Sequence, residues 1–331
     1  MRRVIIGLLM LALLVASTIS MNHADALAQN CQSVSLRYRQ ALTAETVRTA
    51  RDKQPGLTFW AESSCLLCTS LHQTQCTALY YQGDALLVMG AEYCAGEPPA
   101  PLDFSGCAIS TALADDLFGS EDVLGLSVTL ETGEYTVRGI FSSNRSLALI
   151  PCEDAGFTAV ELPFTEDFRQ SPATWVNTQL TESGLTEPDW QLFTGLCAAL
   201  GRGLAWLPLA FAALVLILHG VKAVVHWPFP ARDIALFSVL LTTASALPLL
   251  LSVWPSWLTP SRWSDFSWWT QTAQTLSLQL EAFLLAPGMG RDLAIKSGLI
   301  AQVGIALLQC VLCEALRCML RQCDRPAATE T

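Results

Sequence analysis

The run Val4-Ile5-Ile6-Gly7-Leu8-Leu9-Met10-Leu11-Ala12-Leu13-Leu14-Val15-Ala16-Ser17-Thr18-Ile19-Ser20-Met21 contains no charged residue. A helix rises about 1.5 Å per residue and a bilayer's hydrocarbon core is about 30 Å thick, so this run is just long enough to cross one. Working outward, a mostly polar stretch follows over residues 22–200, and three further apolar runs close the chain at about 204–225, 234–254 and 293–316. One apolar run, a long polar segment and three more runs predict a membrane protein. Its single extramembrane domain is inserted between the first helix and a three-helix transmembrane bundle. The divisions are 1–21 as the N-terminal anchor, 22–200 as the domain, and 201–331 as the bundle, with an outer aromatic loop over 255–292 and a short tail.

The first run has a second reading. Arg2-Arg3 before an apolar core, with Ala24-Asp25-Ala26-Leu27-Ala28 beyond it, also fits a secretory signal with an A-x-A cleavage site. Both an anchor and a removed signal leave the orientation of the rest unchanged.

Composition is uneven along the 331 residues, which are 52% hydrophobic and 15% charged with mean hydropathy +0.39. Residues 22–200 hold 8 bases against 22 acids, a net −14, whereas the remainder holds 11 bases against 7 acids. An acidic domain repels phosphate, so a nucleic-acid partner is excluded, and its charge serves solubility. Arg2, Arg3, Lys222, Arg232, Arg317, Arg321 and Arg325 flank the apolar runs on what the positive-inside rule makes the cytoplasmic side. The domain is then extracytoplasmic, the chain a multi-pass protein of the cell membrane, and Trp254, Trp257, Trp263, Trp268 and Trp269 form an outer interfacial layer.

Seven cysteines, Cys31, Cys65, Cys68, Cys76, Cys94, Cys107 and Cys152, fall in the domain, where an oxidising compartment favours disulfides. Spacing does not give connectivity. Cys65-x-x-Cys68 with Cys76 and His72 is alternatively a zinc set. Cys310, Cys313, Cys318 and Cys323 sit at the cytoplasmic end of the last helix as small apolar or acylated residues.

Within the domain, Leu42, Val47 and Ala50 predict a helix over 38–53, ended by Pro55-Gly56. Residues 57–60, 76–81, 85–89, 126–130, 134–141, 146–150 and 157–162 read as strands, with a hairpin turn at Gln82-Gly83-Asp84. Ile109, Leu113, Ala114 and Leu117 predict a helix over 107–118 stopped by Gly119. Helices start at Ser171-Pro172 and at Glu187-Pro188-Asp189, the second running into the next apolar run. The fold class is α+β, a mixed sheet with covering helices.

The stretch Gly106-Cys107-Ala108-Ile109-Ser110, then Leu113-Ala114, Leu117-Phe118-Gly119-Ser120, Asp122 and Gly125, followed by Tyr135-Thr136-Val137-Arg138-Gly139-Ile140, resembles the extracytoplasmic core of the MacB and FtsX type of ABC transporter permease. In that family a strand end leads into a helix closing on Leu-Phe-Gly, then a glycine, then a strand. The one-plus-three layout is also the family's. The resemblance implies a permease-like subunit that relays ATP-driven conformational change to its outer domain. ATP is then bound and hydrolysed by a separate ABC ATPase subunit, and the permease works as a homodimer or with a related subunit. No cofactor is implied in this chain. The turn expected to meet the ATPase holds Lys222, His226, Trp227, Arg232 and Asp233, but its Pro228 and Pro230 depart from the family's helical turn, and little of the chain precedes the first run. The alternative is an anchored extracytoplasmic binding or sensory module that has lost ATPase coupling.

Enzyme readings find little support, and no catalytic or metal residue is assigned. The chain has four histidines and no G-x-x-x-x-G-K-S/T, H-E-x-x-H or G-x-S-x-G. Asp115, Asp116, Glu121 and Asp122 lack the spacing of a calcium loop and read as a solvated helix end. Asn144-Arg145-Ser146 reads as a loop, and Glu314 pairs with nearby arginines at the membrane interface.

Overall fold

The computed structural model describes residues 2–70, 72–164, 172–252, 264, 266–286 and 288–323. It divides into a helical unit, Met1–Ala28, Leu196–Thr259 and Ile295–Thr331, and a sheet unit, Gln29–Gly195 and Pro260–Ala294.

The helical unit is built from α1 (Arg2–Gln29), α6 (Thr194–Val224), α7 (Ala231–Ser252) and α9 (Gly290–Cys323). Among the described residues, three helices are long and apolar enough to cross a membrane: Val4–Gln29, Thr194–Lys222 and Gly290–Met319. The run expected at 234–254 is helical as α7 up to Ser252; Trp254, Trp257 and Trp263 lie outside the described residues.

The sheet unit interleaves β1 (Ser33–Arg37), α2 (Ala44–Lys53), β2 (Thr58–Cys68), β3 (Gln73–Gln82), α3 (Ala85–Val88), β4 (Tyr93–Gly96), β5 (Gly106–Ser110), α4 (Thr111–Phe118), β6 (Ser127–Leu130), β7 (Gly133–Phe141), β8 (Leu147–Pro151), β9 (Ala159–Pro163), α5 (Pro172–Ser183) and β10 (Trp190–Phe193). The sheet runs β10-β1-β9-β2-β3-β8-β5-β7-β4, with β6 pairing β2 and β7. β3 and β8, and β5 and β7, are parallel; the other pairs are antiparallel, so the sheet is mixed, as expected.

Val47 and Ala50 of α2 and Trp175 and Val176 of α5 pack with Val34, Leu36, Phe59 and Val160. Leu113, Ala114 and Leu117 of α4 pack on Ile109, Val137, Ile140 and Ala148. Burial of these apolar side chains, worth about 1.5–3 kcal/mol for each Val, Leu, Ile or Phe, holds the helices to the sheet.

The local reading of several elements is corrected. Residues 107–110, expected as the start of a helix, are strand, because β5 is hydrogen-bonded on both sides, to β7 and β8. The Ser110 hydroxyl then caps α4, accepting from Leu113 N at 3.1 Å. Residues 85–88 form a short helix whose cap is Asp84, so the hairpin is not at 82–84 but joins β2 to β3. Trp190–Phe193 is a strand paired to β1, and α6 starts only at Thr194. The stretch 255–292, expected as a loop, contains α8 (Phe266–Leu285), which has no Gly or Pro to interrupt it and packs against β10.

Candidate coupling site

Strand β1 reads Ser33-Val34-Ser35-Leu36-Arg37 and is buried throughout. Strand side chains alternate between faces, so Val34 and Leu36 enter the apolar core while Ser33, Ser35 and Arg37 share the opposite face. Antiparallel pairing sets Glu161 of β9 between Ser35 of β1 and Thr58 of β2. Its carboxylate has no exposed surface. It accepts from Ser33 Oγ at 2.5 Å, Ser35 Oγ at 2.5 Å and Trp60 Nε1 at 2.9 Å.

The first turn of α9 brings the opposite charges. Arg291 Nη1 lies 2.6 Å from Glu161 Oε1, and Arg291 Nη2 donates to Asn30 O at 3.0 Å and Ser33 Oγ at 3.2 Å. The next residue, Asp292, accepts from Arg37 Nη2 at 2.9 Å. The Arg37 guanidinium also lies over the Trp60 ring, 4.5 Å from its centroid. All four charged side chains are at most 5% exposed. Two arginines against two carboxylates leave the cluster neutral, the condition under which buried charge is tolerated. Burial pushes the Glu161 carboxyl up, but Arg291, then Arg37, then the Ser33 and Ser35 hydroxyls outweigh it and hold it below its ordinary value.

One residue earlier, the backbone of Gly290 is gripped from both sides. Its N–H donates to Glu62 Oε2 at 2.6 Å and its carbonyl accepts from Arg145 Nη1 at 3.0 Å. A carboxylate at a helix N-terminus also meets the positive end of the helix dipole. Three consecutive residues, Gly290, Arg291 and Asp292, are thus fixed to β1, β2, β9 and the loop before β8. The first turn of α9 is thereby part of the sheet unit.

Within the helical unit, α9 carries a second polar feature. Gln302 and Gln309, two turns apart on one face, have no exposed surface. Gln302 Nε2 donates to Ser20 Oγ at 2.8 Å, Gln302 Oε1 lies 3.0 Å from His23 Nδ1, and Gln309 Nε2 donates to Ser17 Oγ at 3.2 Å. This amide seam ties α1 to α9. Nearby, Cys313 packs with Leu13 and Ala212.

The residues singled out by motif lie elsewhere. Gly106, Cys107, Ile109 and Ser110 form β5, and Leu113, Ala114, Leu117 and Phe118 line α4. Gly119 takes the left-handed conformation that ends α4, at φ 67°, and Gly125 is also at positive φ. Gly139 of β7 lets the Glu97 carbonyl approach where a Cβ would collide. Cys107, Ile109, Leu113, Ala114 and Leu117 belong to the buried core of the sheet unit, whereas Gly119 and Gly125 lie in exposed turns. Lys222 lies in the last turn of α6; His226 and Trp227 lie in the exposed turn after it; and Arg232 pairs with Asp233 at 2.9 Å on α7.

Among the cysteines, Cys31 and Cys107 are buried, Cys68 and Cys152 half-buried and Cys94 exposed. Cys65 and Cys76 face each other with sulfurs 3.4 Å apart. Cys68 is three residues from Cys65 on an unbroken strand, hence on the opposite face, which defeats the zinc arrangement. Among the described residues no three His, Cys, Asp or Glu side chains gather as metal ligands. Asp115, Asp116, Glu121 and Asp122 are solvated, and Glu314 pairs with Arg317 at 3.1 Å.

The sequence reading missed Arg37, Glu161, Arg291 and Asp292 as parts of a site. A signal was present: Glu161 is a lone carboxylate inside Ala159-Val160-Glu161-Leu162, and Arg291-Asp292 stands just before an apolar run.

No protein-family model and no curated protein matches the chain. Among solved structures, the periplasmic region of MacB from Actinobacillus actinomycetemcomitans is similar at TM-score 0.42 and 15% identity, over 50% of this chain and 89% of that one. The extracellular domain of the ABC-type transporter YknZ from Gram-positive bacteria is similar at TM-score 0.36 and 15% identity, over 47% and 96%. A domain of a permease from Porphyromonas gingivalis is similar at TM-score 0.33 and 18% identity, over 47% and 84%. At these values the likeness carries no argument for an activity.

Proposed function

We propose that this chain is a permease-like membrane subunit of the MacB and FtsX type of ABC system. It relays conformational change, driven by a partner ATPase, from its membrane helices to an extracytoplasmic sheet unit. The observation that carries this reading is the joint at Gly290, Arg291 and Asp292. A helix long and apolar enough to cross a membrane starts with its first turn locked into a sheet by buried charges. A relay requires an element that moves as one piece between two arrangements of different free energy, and a helix anchored by its first turn meets that requirement. The resemblance over 106–140 supports the same reading from the sequence side. ATP belongs to the partner subunit, which meets the turn at Lys222, His226, Trp227, Arg232 and Asp233. The permease acts in the bilayer as a homodimer or beside a related subunit.

A second reading is favoured by that turn itself. Between Val224 and Ala231 no helix forms, and His226, Trp227 and Phe229 are exposed, where the resemblance implies a helical contact. Under this reading the chain is an anchored binding or sensory module without a motor.

Purification of the full chain from its native membranes in mild detergent with nucleotide separates the two. Recovery of an ABC ATPase, abolished by deleting residues 222–233, supports the relay. Absence of any ATPase from the wild-type preparation overturns it.

A further inference from the structure

We infer that Cys65 and Cys76 form a disulfide that closes the β2–β3 hairpin, and that Cys65 is the thiol through which it is made. The two residues are directly opposed in the antiparallel ladder, and the ladder is regular on both sides of them, from Phe59 opposite Gln82 to Cys68 opposite Gln73. Directly opposed residues of such a pair have Cα atoms about 4.5–5.5 Å apart, within the roughly 4.4–6.8 Å that a disulfide spans. Their sulfurs already lie 3.4 Å apart on the same face, so bond formation needs side-chain rotation and no movement of the strands.

The two thiols are not equivalent. Cys76 is 4% exposed and belongs to the apolar cluster with Leu67, Ala78 and Cys107, whereas Cys65 sits half-buried at its margin. The hydrogen bond from Cys76 lowers the Cys65 thiol, and the same interaction with burial raises that of Cys76. The more acidic, more accessible sulfur is the nucleophile in disulfide exchange, and the buried one resolves.

The co-reactant is a small disulfide or a protein disulfide of an oxidising compartment. Cys65 loses its proton to water, and its sulfur attacks one sulfur of that disulfide, expelling the other as a thiolate. Cys76 then loses its proton, and its sulfur attacks the Cys65 sulfur, releasing the second external thiolate. Two thiols of this chain are oxidised, one S–S bond forms within it, and one external disulfide is reduced to two thiols. The product fixes the hairpin whose β2 strand also carries Glu62, the acceptor for Gly290.

The chemistry is independent of the relay, which bears only on whether the compartment supplies the oxidant. Full-length protein purified under reducing conditions is titrated with oxidised glutathione, alkylated after unfolding and mapped by mass spectrometry. The expected result is a Cys65–Cys76 linked peptide that dithiothreitol converts to two alkylated cysteines. Cys76→Ser should instead retain one glutathione on Cys65, and Cys65→Ser should leave Cys76 unreactive until the protein unfolds. Full alkylation of both residues after oxidation of the wild type, or a link from Cys76 to Cys107, overturns the inference. A bond that forms in vitro but is absent from protein isolated from cells under acid quench overturns it as well.

Discussion

Helix α9 buries polar side chains in both units, and it does so in two different ways. In the sheet unit its first turn contributes full charges, Arg291 and Asp292, matched by Glu161 and Arg37. In the helical unit its later turns contribute neutral amides, Gln302 and Gln309, matched by Ser20, His23 and Ser17. The difference follows from what each surrounding can supply. A folded sheet offers hydroxyls, an indole N–H and backbone carbonyls at fixed positions, enough to hold ions. An apolar helix pair offers little besides serine hydroxyls and one imidazole, and there a charge without its counter-ion is far costlier than an unpaired amide. The charged joint is therefore an all-or-none structure, and the amide seam a graded one.

The sharpest test of that contrast removes one charge. Glu161→Ala leaves Arg291 and Arg37 facing one carboxylate between them, and breaking a buried pair in this way costs about 3–5 kcal/mol. Urea unfolding of the full chain in detergent, followed by tryptophan fluorescence, should register most of that loss. The double change Glu161→Leu with Arg291→Met should recover a large part of it, because an apolar pair of similar volume needs no counter-charge. A single substitution with an effect of only about 0.5 kcal/mol, the surface norm, would break the comparison outright.

Acid should act on the same joint. The Glu161 carboxyl is held below its ordinary value, about 4.3 for a free Glu, so its ionised form is favoured in the folded state. That contribution is fully present above the unfolded value and is lost as pH falls through the folded one. Stability of the wild type should decline below about pH 4, and Glu161→Gln, which has no proton to gain, should show a lower but flatter profile. The gap between the two is widest near neutrality and narrows in acid. A constant gap from pH 7 to pH 3 would mean that the carboxylate's charge is not what the joint depends on.

What the sequence made legible follows the same division. Apolar runs are local, so the long apolar helices Val4–Gln29, Thr194–Lys222 and Gly290–Met319 could be read directly, as could the mixed sheet, and Val47 and Ala50 marked the buried face of α2. At 107–118 the spacing of Ile109, Leu113 and Leu117 imitates a helix; only pairing with β7 and β8 makes the first residues strand, and pairing is not local. The joint is harder still. Ser33, Ser35, Arg37, Trp60 and Glu161 come together only through the sheet order, which puts β9 between β1 and β2, and Arg291 reaches them from the first turn of α9.

A smaller effect belongs to the neighbouring grip on Gly290. Glu62→Ala removes a charged acceptor from a partly buried N–H, for which about 1.5–3 kcal/mol is typical. Glu62→Gln keeps an acceptor and forfeits only the interaction with the helix dipole, about 0.3–1 kcal/mol. Hydrogen exchange at the Gly290 amide should accelerate in the first variant and change little in the second. Equal acceleration in both would shift the weight from the hydrogen bond to the charge.

The smallest expected effect also settles the standing of the first helix. Interhelical hydrogen bonds in membranes average about 0.6 kcal/mol, so Gln302→Leu should weaken the full chain only slightly when unfolded from mixed micelles. The sign matters more than the size. With α1 retained, Gln302 has Ser20 and His23 as partners and its replacement is destabilising. With α1 removed as a cleaved signal, the same amide is stranded among apolar side chains and Gln302→Leu becomes stabilising. Intact mass of the membrane-purified chain gives an independent reading of the same alternative. Retention of residues 4–29 together with a small loss of stability makes the seam a true interhelical contact. A shortened chain that gains stability from the leucine would leave the charged joint as the only polar anchor of α9 among those described.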